Sequence, residues 1–117
     1  MLQVEFITCE SDGDLIVSFA IAPSAYRSLT LHRSPPYEHL LPEEERGAKV
    51  GPLDPTEVEP DFLVSVEWLG RRVVVKAQRH EYKLDVSAVS EDELAEAKAV
   101  LRMMVSDGSA RLDGDGV

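Results

Sequence analysis

Two hydrophobic periods divide the second half of the chain. Phe62, Val64, Val66 and Trp68 alternate with polar neighbours and share one face of an extended segment, while Asp61, Ser65 and Glu67 share the other. The next two runs change parity: Val73, Val75 and Ala77 take the inward positions, then Tyr82, Leu84 and Val86. Each change of parity requires a turn or bulge. Gly70-Arg71 supplies the first as a tight turn, whereas Arg79-His80 must make the second without glycine. From Leu94 the period lengthens. Leu94, Ala97, Leu101 and Met104 form a helical stripe widened by Val100 and Val105. Residues 61–108 thus predict an antiparallel meander followed by a helix.

The helix also carries its own start and stop signals. Ser90-Glu91-Asp92-Glu93 reads as a capping box, in which the Ser90 hydroxyl accepts from the Glu93 amide and the Glu93 carboxylate reaches back. Val89 and Leu94 occupy the positions of a hydrophobic staple. Acids crowd the first turn, Lys98 and Arg102 lie toward the last, and Gly108 can serve as a left-handed stop.

The N-terminal third alternates in the same way. Leu2, Val4 and Phe6 oppose Gln3 and Glu5, and Leu15, Val17, Phe19 and Ile21 make a second run. Ser11-Asp12-Gly13-Asp14 between them is a hairpin turn. The segment from Tyr26 to His32 reads as a third strand with Leu29 and Leu31 inward, with a helical turn from Ser24 to Arg27 as the alternative.

Periodicity fails between residues 33 and 60, where Pro35, Pro36, Pro42, Pro52, Pro55 and Pro60 exclude any long regular element. Pro42-Glu43-Glu44-Glu45-Arg46-Gly47 suits one helical turn, and residues 47–60 read as extended coil. A connection this long is the first place to look for function. Residues 106–117, rich in Asp and Gly, read as a flexible tail.

These elements assemble into an α+β class. The expected architecture is a single domain over residues 1–117, with an antiparallel sheet of about six strands (an N-terminal hairpin plus a C-terminal meander) and one C-terminal helix on one face. One helix covers only part of such a sheet. The sheet must therefore curl, the Pro-rich excursion must fold over it, or a partner must cover the rest. Leu63, Leu69 and Val74 fall on the predicted outer face, which makes a homodimer through that face an expectation.

Charge narrows the function. A formal net charge of −10 repels nucleic acid phosphates and anionic membranes. Neither a membrane-spanning run nor a leader pattern is legible, and the single cysteine, Cys9, cannot pair internally, so a cytoplasmic protein is the expectation. Arg71, Arg72, Lys76, Arg79 and Lys83 form a local basic strip, which cross-strand pairing with Glu67, Glu81 and Asp85 explains.

Candidate chemistry is sparse. His32, His39 and His80 have no metal-ligand spacing, Asp12-Gly13-Asp14 and Asp113-Gly114-Asp115-Gly116 offer too few oxygens for calcium, and no phosphate-cradling glycine motif occurs. No catalytic residue, metal or cofactor is therefore predicted. The leading expectation is a non-catalytic, acidic protein-binding module such as an inhibitor, immunity or accessory factor, in one version imitating nucleic-acid charge. Its partner would carry a basic surface, and its contacts would be Tyr37, Glu38, Glu43, Glu44, Glu45, Asp54, Glu57, Glu59 and Asp61. The alternative is a small enzyme or ligand-binding domain using His39 and Glu38, with Arg33 or Tyr37, in a pocket near residues 33–47.

Overall fold

The computed structural model describes residues 1–23, 27–51, 61–114 and 116. Three strands open the chain: β1 (Leu2–Glu10), β2 (Leu15–Ile21) and β3 (Arg27–Arg33). Two short 3-10 helices, Pro35–Leu40 and Glu43–Glu45, lead to β4 (Lys49–Gly51). The meander is β5 (Asp61–Leu69), β6 (Arg72–Ala77) and β7 (Glu81–Asp85), followed by α1 (Glu91–Met104) and β8 (Arg111–Gly114). No helix among the described residues is long and apolar enough to cross a membrane.

The α+β class holds, but the sheet is larger than predicted and mixed. Its eight described strands run in the order β4-β3-β2-β1-β7-β6-β5-β8, and β4 also pairs with β5. The first seven strands therefore close into a ring. Two joins are parallel, β1 to β7 through Leu2 and Gln3, and β5 to β8 through Ser65 to Trp68. The edge of β5 that faces away from β6 is divided: β4 takes its start at Asp61 and Phe62, and β8 takes its end. The segments expected to be coil and flexible tail thus supply the two short strands that complete this edge. Neither has a periodic pattern, because three or four residues cannot display one.

Two bulges permit the closure, and both overturn a predicted parity. In β1 the register slips between Val4 and Phe6, so that Ile7 is buried and Phe6 stands 42% exposed. In β5 it slips between Leu63 and Ser65. Asp61 and Leu63 therefore face inward, Val64 faces out, and Val66 and Trp68 return to the core. An extra residue on one strand bends it and tightens its twist, as a sheet closing on itself requires. The predicted apolar trio on the outer face dissolves as a result. Leu63 is buried, Val74 is half-buried, and only Leu69 is well exposed.

One core fills the ring. Val17, Phe19, Ile21, Leu29, Leu31, Val66, Trp68, Val73, Val75 and Leu84 meet the buried stripe Leu94, Ala97, Val100, Leu101 and Met104 of α1. The helix packs on β1 and β2, and its Lys98 ammonium lies 4.9 Å from the centre of the Trp68 ring on β5. At Gly114 the backbone adopts φ +107 beside Trp68, and a side chain there would overlap the Trp68 carbonyl. Only glycine allows β8 to approach so closely.

Half of the predicted capping box forms, and the Glu93 carboxylate, instead of taking the Ser90 amide, accepts from the Ser90 hydroxyl and from β1. Ser90 Oγ accepts from the Glu93 amide at 3.3 Å, and Glu93 Oε1 accepts the Ile7 amide of β1 at 2.7 Å. That amide belongs to the part of β1 beyond its pairing with β7, so the helix supplies the acceptor that a strand would otherwise provide. Glu93→Ala should therefore cost about 2–3 kcal/mol, because a partly buried amide loses a charged acceptor. Ser90→Ala, which removes only the cap, should cost about 1 kcal/mol. Urea unfolding of both variants checks the order, and equal losses would mean that the Glu93–Ile7 bond contributes nothing beyond capping.

Candidate functional site

Arg33 ends β3 as the chain leaves the sheet, and its guanidinium organises the excursion beyond it. Nε and Nη2 donate to the two oxygens of Glu38, each at 2.8 Å. Nη2 also donates to Asp107 Oδ2 at 2.7 Å, while Nη1 reaches the Met104 carbonyl at 2.7 Å, Asp107 Oδ1 at 3.0 Å and Ser109 Oγ at 3.1 Å. Every nitrogen of the fork has an acceptor. Glu38 in turn accepts from the Gly47 amide at 3.0 Å. One side chain thereby ties the end of β3, both ends of the 3-10 segment and the C-terminal end of α1, where a cation also suits the helix dipole.

Above this clamp lies a cleft of about 290 Å³, lined among others by His32, Tyr37, Leu40, Leu41, Glu45 and Lys49. Tyr37 and Leu40 project from the first 3-10 helix at 64% and 71% exposure. The second helix carries Glu43, Glu44 and Glu45, all exposed, and Arg46 braces it by donating from Nε to the Leu41 carbonyl at 3.0 Å. On the opposite wall His32 and Lys49 are register partners in β3 and β4.

The predicted site residues separate into distinct environments. Tyr37, Glu38, Glu43, Glu44 and Glu45 belong to one ledge, but Glu38 is turned into the clamp. Asp54, Glu57 and Glu59 lie outside the described residues, as do the predicted start of the third strand at Tyr26 and most of the expected coil. Asp61 is not presented to solvent at all. It is 2% exposed, accepting from the Arg79 amide at 3.0 Å and sharing a 3.0 Å hydrogen bond with His80 Nδ1. The bulge in β5 turns it inward, where it holds the β6–β7 turn that has no glycine. His80 stacks on Tyr82 at 5.9 Å between ring centres.

The two charged groups of the clamp are held in their ionised forms. Hydrogen bonds donated to Asp107 and Glu38 push the Arg33 pKa up, and the Arg33 bond holds the Glu38 carboxyl below its ordinary range. Both shifts deepen the charged forms at neutral pH, the opposite of what a general acid or base requires. His39 is exposed and does not line the cleft. Among the described residues, no three of His, Cys, Asp and Glu are grouped to hold a metal. Cys9, half-buried on β1, is a poor thiolate, since burial and then Glu96 and Glu93 push its pKa up to about 11.

Asp107, Ser109 and the Met104 carbonyl had no signal in the sequence, because they reach Arg33 only after α1 has docked. Leu40 and Leu41 did leave one: an adjacent aliphatic pair between the prolines at 35, 36 and 42 and beside the Glu43-Glu44-Glu45 run. No family model, curated protein or solved structure matches this chain in comparisons with known proteins.

Arg33→Lys should be far from conservative. A single ammonium cannot satisfy two carboxylates and a helix carbonyl in the planar fork geometry, so a loss of about 2–4 kcal/mol is expected by chemical denaturation. Acid should act on the same network. Hydrogen bonds from Arg33 and Ser109 hold Asp107 low, and Arg33 holds Glu38 low. For Asp61, burial pushes upward but the His80 and Arg79 hydrogen bonds outweigh it, so its pKa is also lowered. A carboxyl lowered by folding adds stability that is complete above its unfolded value, here above about pH 5, and that drains as pH falls toward the folded value. Urea midpoints at descending pH should fall steeply below about pH 4 and less steeply for Asp107→Asn. An unchanged slope in that variant would remove Asp107 from the account.

Proposed function

We propose that the chain is a non-catalytic protein-binding module that works through the ledge of residues 35–45. One observation carries this reading: Tyr37 and Leu40 stand well exposed on backbone that the Arg33–Glu38–Gly47 network holds at both ends. Holding large apolar side chains in water on a fixed backbone gains nothing for folding. It is what a binding surface needs, because anchors already ordered lose little entropy when a partner covers them. The ionisable groups beneath them are engaged in the clamp, which turns the chemistry expected of a pocket into structural support.

The exposed acids Glu43, Glu44 and Glu45 set the sign of the partner. Together with the net charge of −10 they favour a basic surface and repel nucleic acid. Apolar anchors then supply affinity, while the acids supply association rate and selection.

The test is capture of partners by the tagged full chain from extract of its own cells, eluted in salt steps and read by mass spectrometry. The wild-type chain, the Tyr37→Ala/Leu40→Ala double variant, the Glu43/Glu44/Glu45→Lys triple variant and His39→Ala are run side by side. A stoichiometric protein retained by wild type and His39→Ala, weakened by salt and lost from the other two variants is the expected result. A partner held equally by all four would move binding off the ledge. Recovery of the bait alone would overturn the reading.

A further inference from the structure

Resting on that reading, we infer that the cleft beside the ledge takes a linear segment of the partner, with one aliphatic or aromatic side chain seated between Tyr37 and Leu40 and a Lys or Arg toward Glu45. Its size limits the occupant. At about 290 Å³ it falls just under the range of about 300–1,000 Å³ for small-molecule pockets, and it accommodates a side chain or two rather than a nucleotide-sized cofactor. Its floor offers no unused cationic fork, since the Arg33 guanidinium is engaged by Glu38, Asp107, Ser109 and the Met104 carbonyl. A free anion could not use that guanidinium without breaking the clamp. An apolar side chain can enter without disturbing it.

The walls give the segment a direction. Glu45 lies on the ledge with Glu43 and Glu44 adjoining it in the same helix, whereas the strand wall carries Lys49 on β4 beside His32 on β3, whose ring lies 3.7 Å from Asp14, so that Lys49 is the fixed cation of that wall. Lys49 leans over Phe62, its Nζ 6.0 Å from the ring centre. A cation on the segment is therefore attracted to the ledge and repelled by the strand wall, which fixes which way the segment lies. This polarity separates the inference from generic attraction between an acidic protein and any basic one. Removing the positive charge of the strand wall should strengthen binding, although Lys49 lies outside the ledge.

Short fluorescein-labelled peptides test this by fluorescence polarisation with the full chain. One set places a Leu, Phe or Trp anchor at varied spacing from an arginine pair, a second replaces the anchor by Ser, and a third replaces the arginines by glutamates. The first set should contain binders, and the other two should be weaker by about tenfold or more. Leu40→Ala should weaken the best peptide about tenfold. Glu45→Lys should weaken it roughly two- to fivefold, and Lys49→Glu should tighten it by a similar factor. Thermal melts of each variant establish that it is folded. Equal binding of the acidic or anchorless set, or no tightening by Lys49→Glu, overturns the inference. If no peptide binds while capture from extract still depends on Leu40, the partner presents a folded surface; the ledge reading stands and this inference falls. If capture ignores Leu40 as well, both fall.

Discussion

A sheet with one apolar face and a single helix to cover it cannot remain open in water. The α1 stripe of Leu94, Ala97, Val100, Leu101 and Met104 covers β1 and β2, and the remaining apolar face of β3 to β7 must be buried by the sheet itself. Closure between β4 and β5 achieves this, and the slips in β1 and β5 give the strands the bend it needs. Later parts of the chain serve the closure. Glu93 covers the Ile7 amide where β1 leaves β7, β8 fills the part of the β5 edge that β4 does not reach, and Gly114 lets β8 pass close to Trp68.

Two buried or half-buried acid networks hold the ends of this ring, and they act in contrasting ways. Asp61 works locally, holding the β6–β7 turn through a backbone amide and a histidine ring. The Arg33 clamp works at long range, joining residues more than seventy apart in sequence. Each requires neighbours that fully satisfy its charge, since an uncompensated buried charge costs several kcal/mol, about 3–5 when one partner is deleted. The cleft rests on the second network, with the Arg33–Glu38 pair at its floor and Tyr37 and Leu40 exposed at its rim.

Much of this is legible in the sequence, and the failures have physical causes. The helix is readable to within a residue because cap, staple and stripe agree, and β2, β3, β6 and β7 emerge from alternation. Alternation alone puts Val64 and Phe6 on the wrong face, because a bulge leaves no mark in composition while reversing everything on one side of it. Asp61 is misplaced for the same reason. β4 and β8 are too short to show a period, and their pairing depends on ring closure, a global property. At the cleft, Tyr37 and Glu38 can be singled out from a proline-rich stretch, yet their different roles cannot. The paired bonds from Arg33 and the Gly47 amide turn Glu38 inward, while Tyr37 is left outside.

The clamp also separates what the ledge looks like from what keeps it in place. Arg33, Glu38 and the Gly47 amide fix the two ends of the excursion, and none of Leu40, Glu43, Glu44 or Glu45 contributes a side chain to that network. Substitutions at those four positions can therefore accumulate with little effect on the core, so that this surface can drift while the fold stays constant. The same separation makes the ledge a natural cassette: a different short sequence inserted between these anchors inherits a fixed exit and return from a closed sheet, with its ends already held.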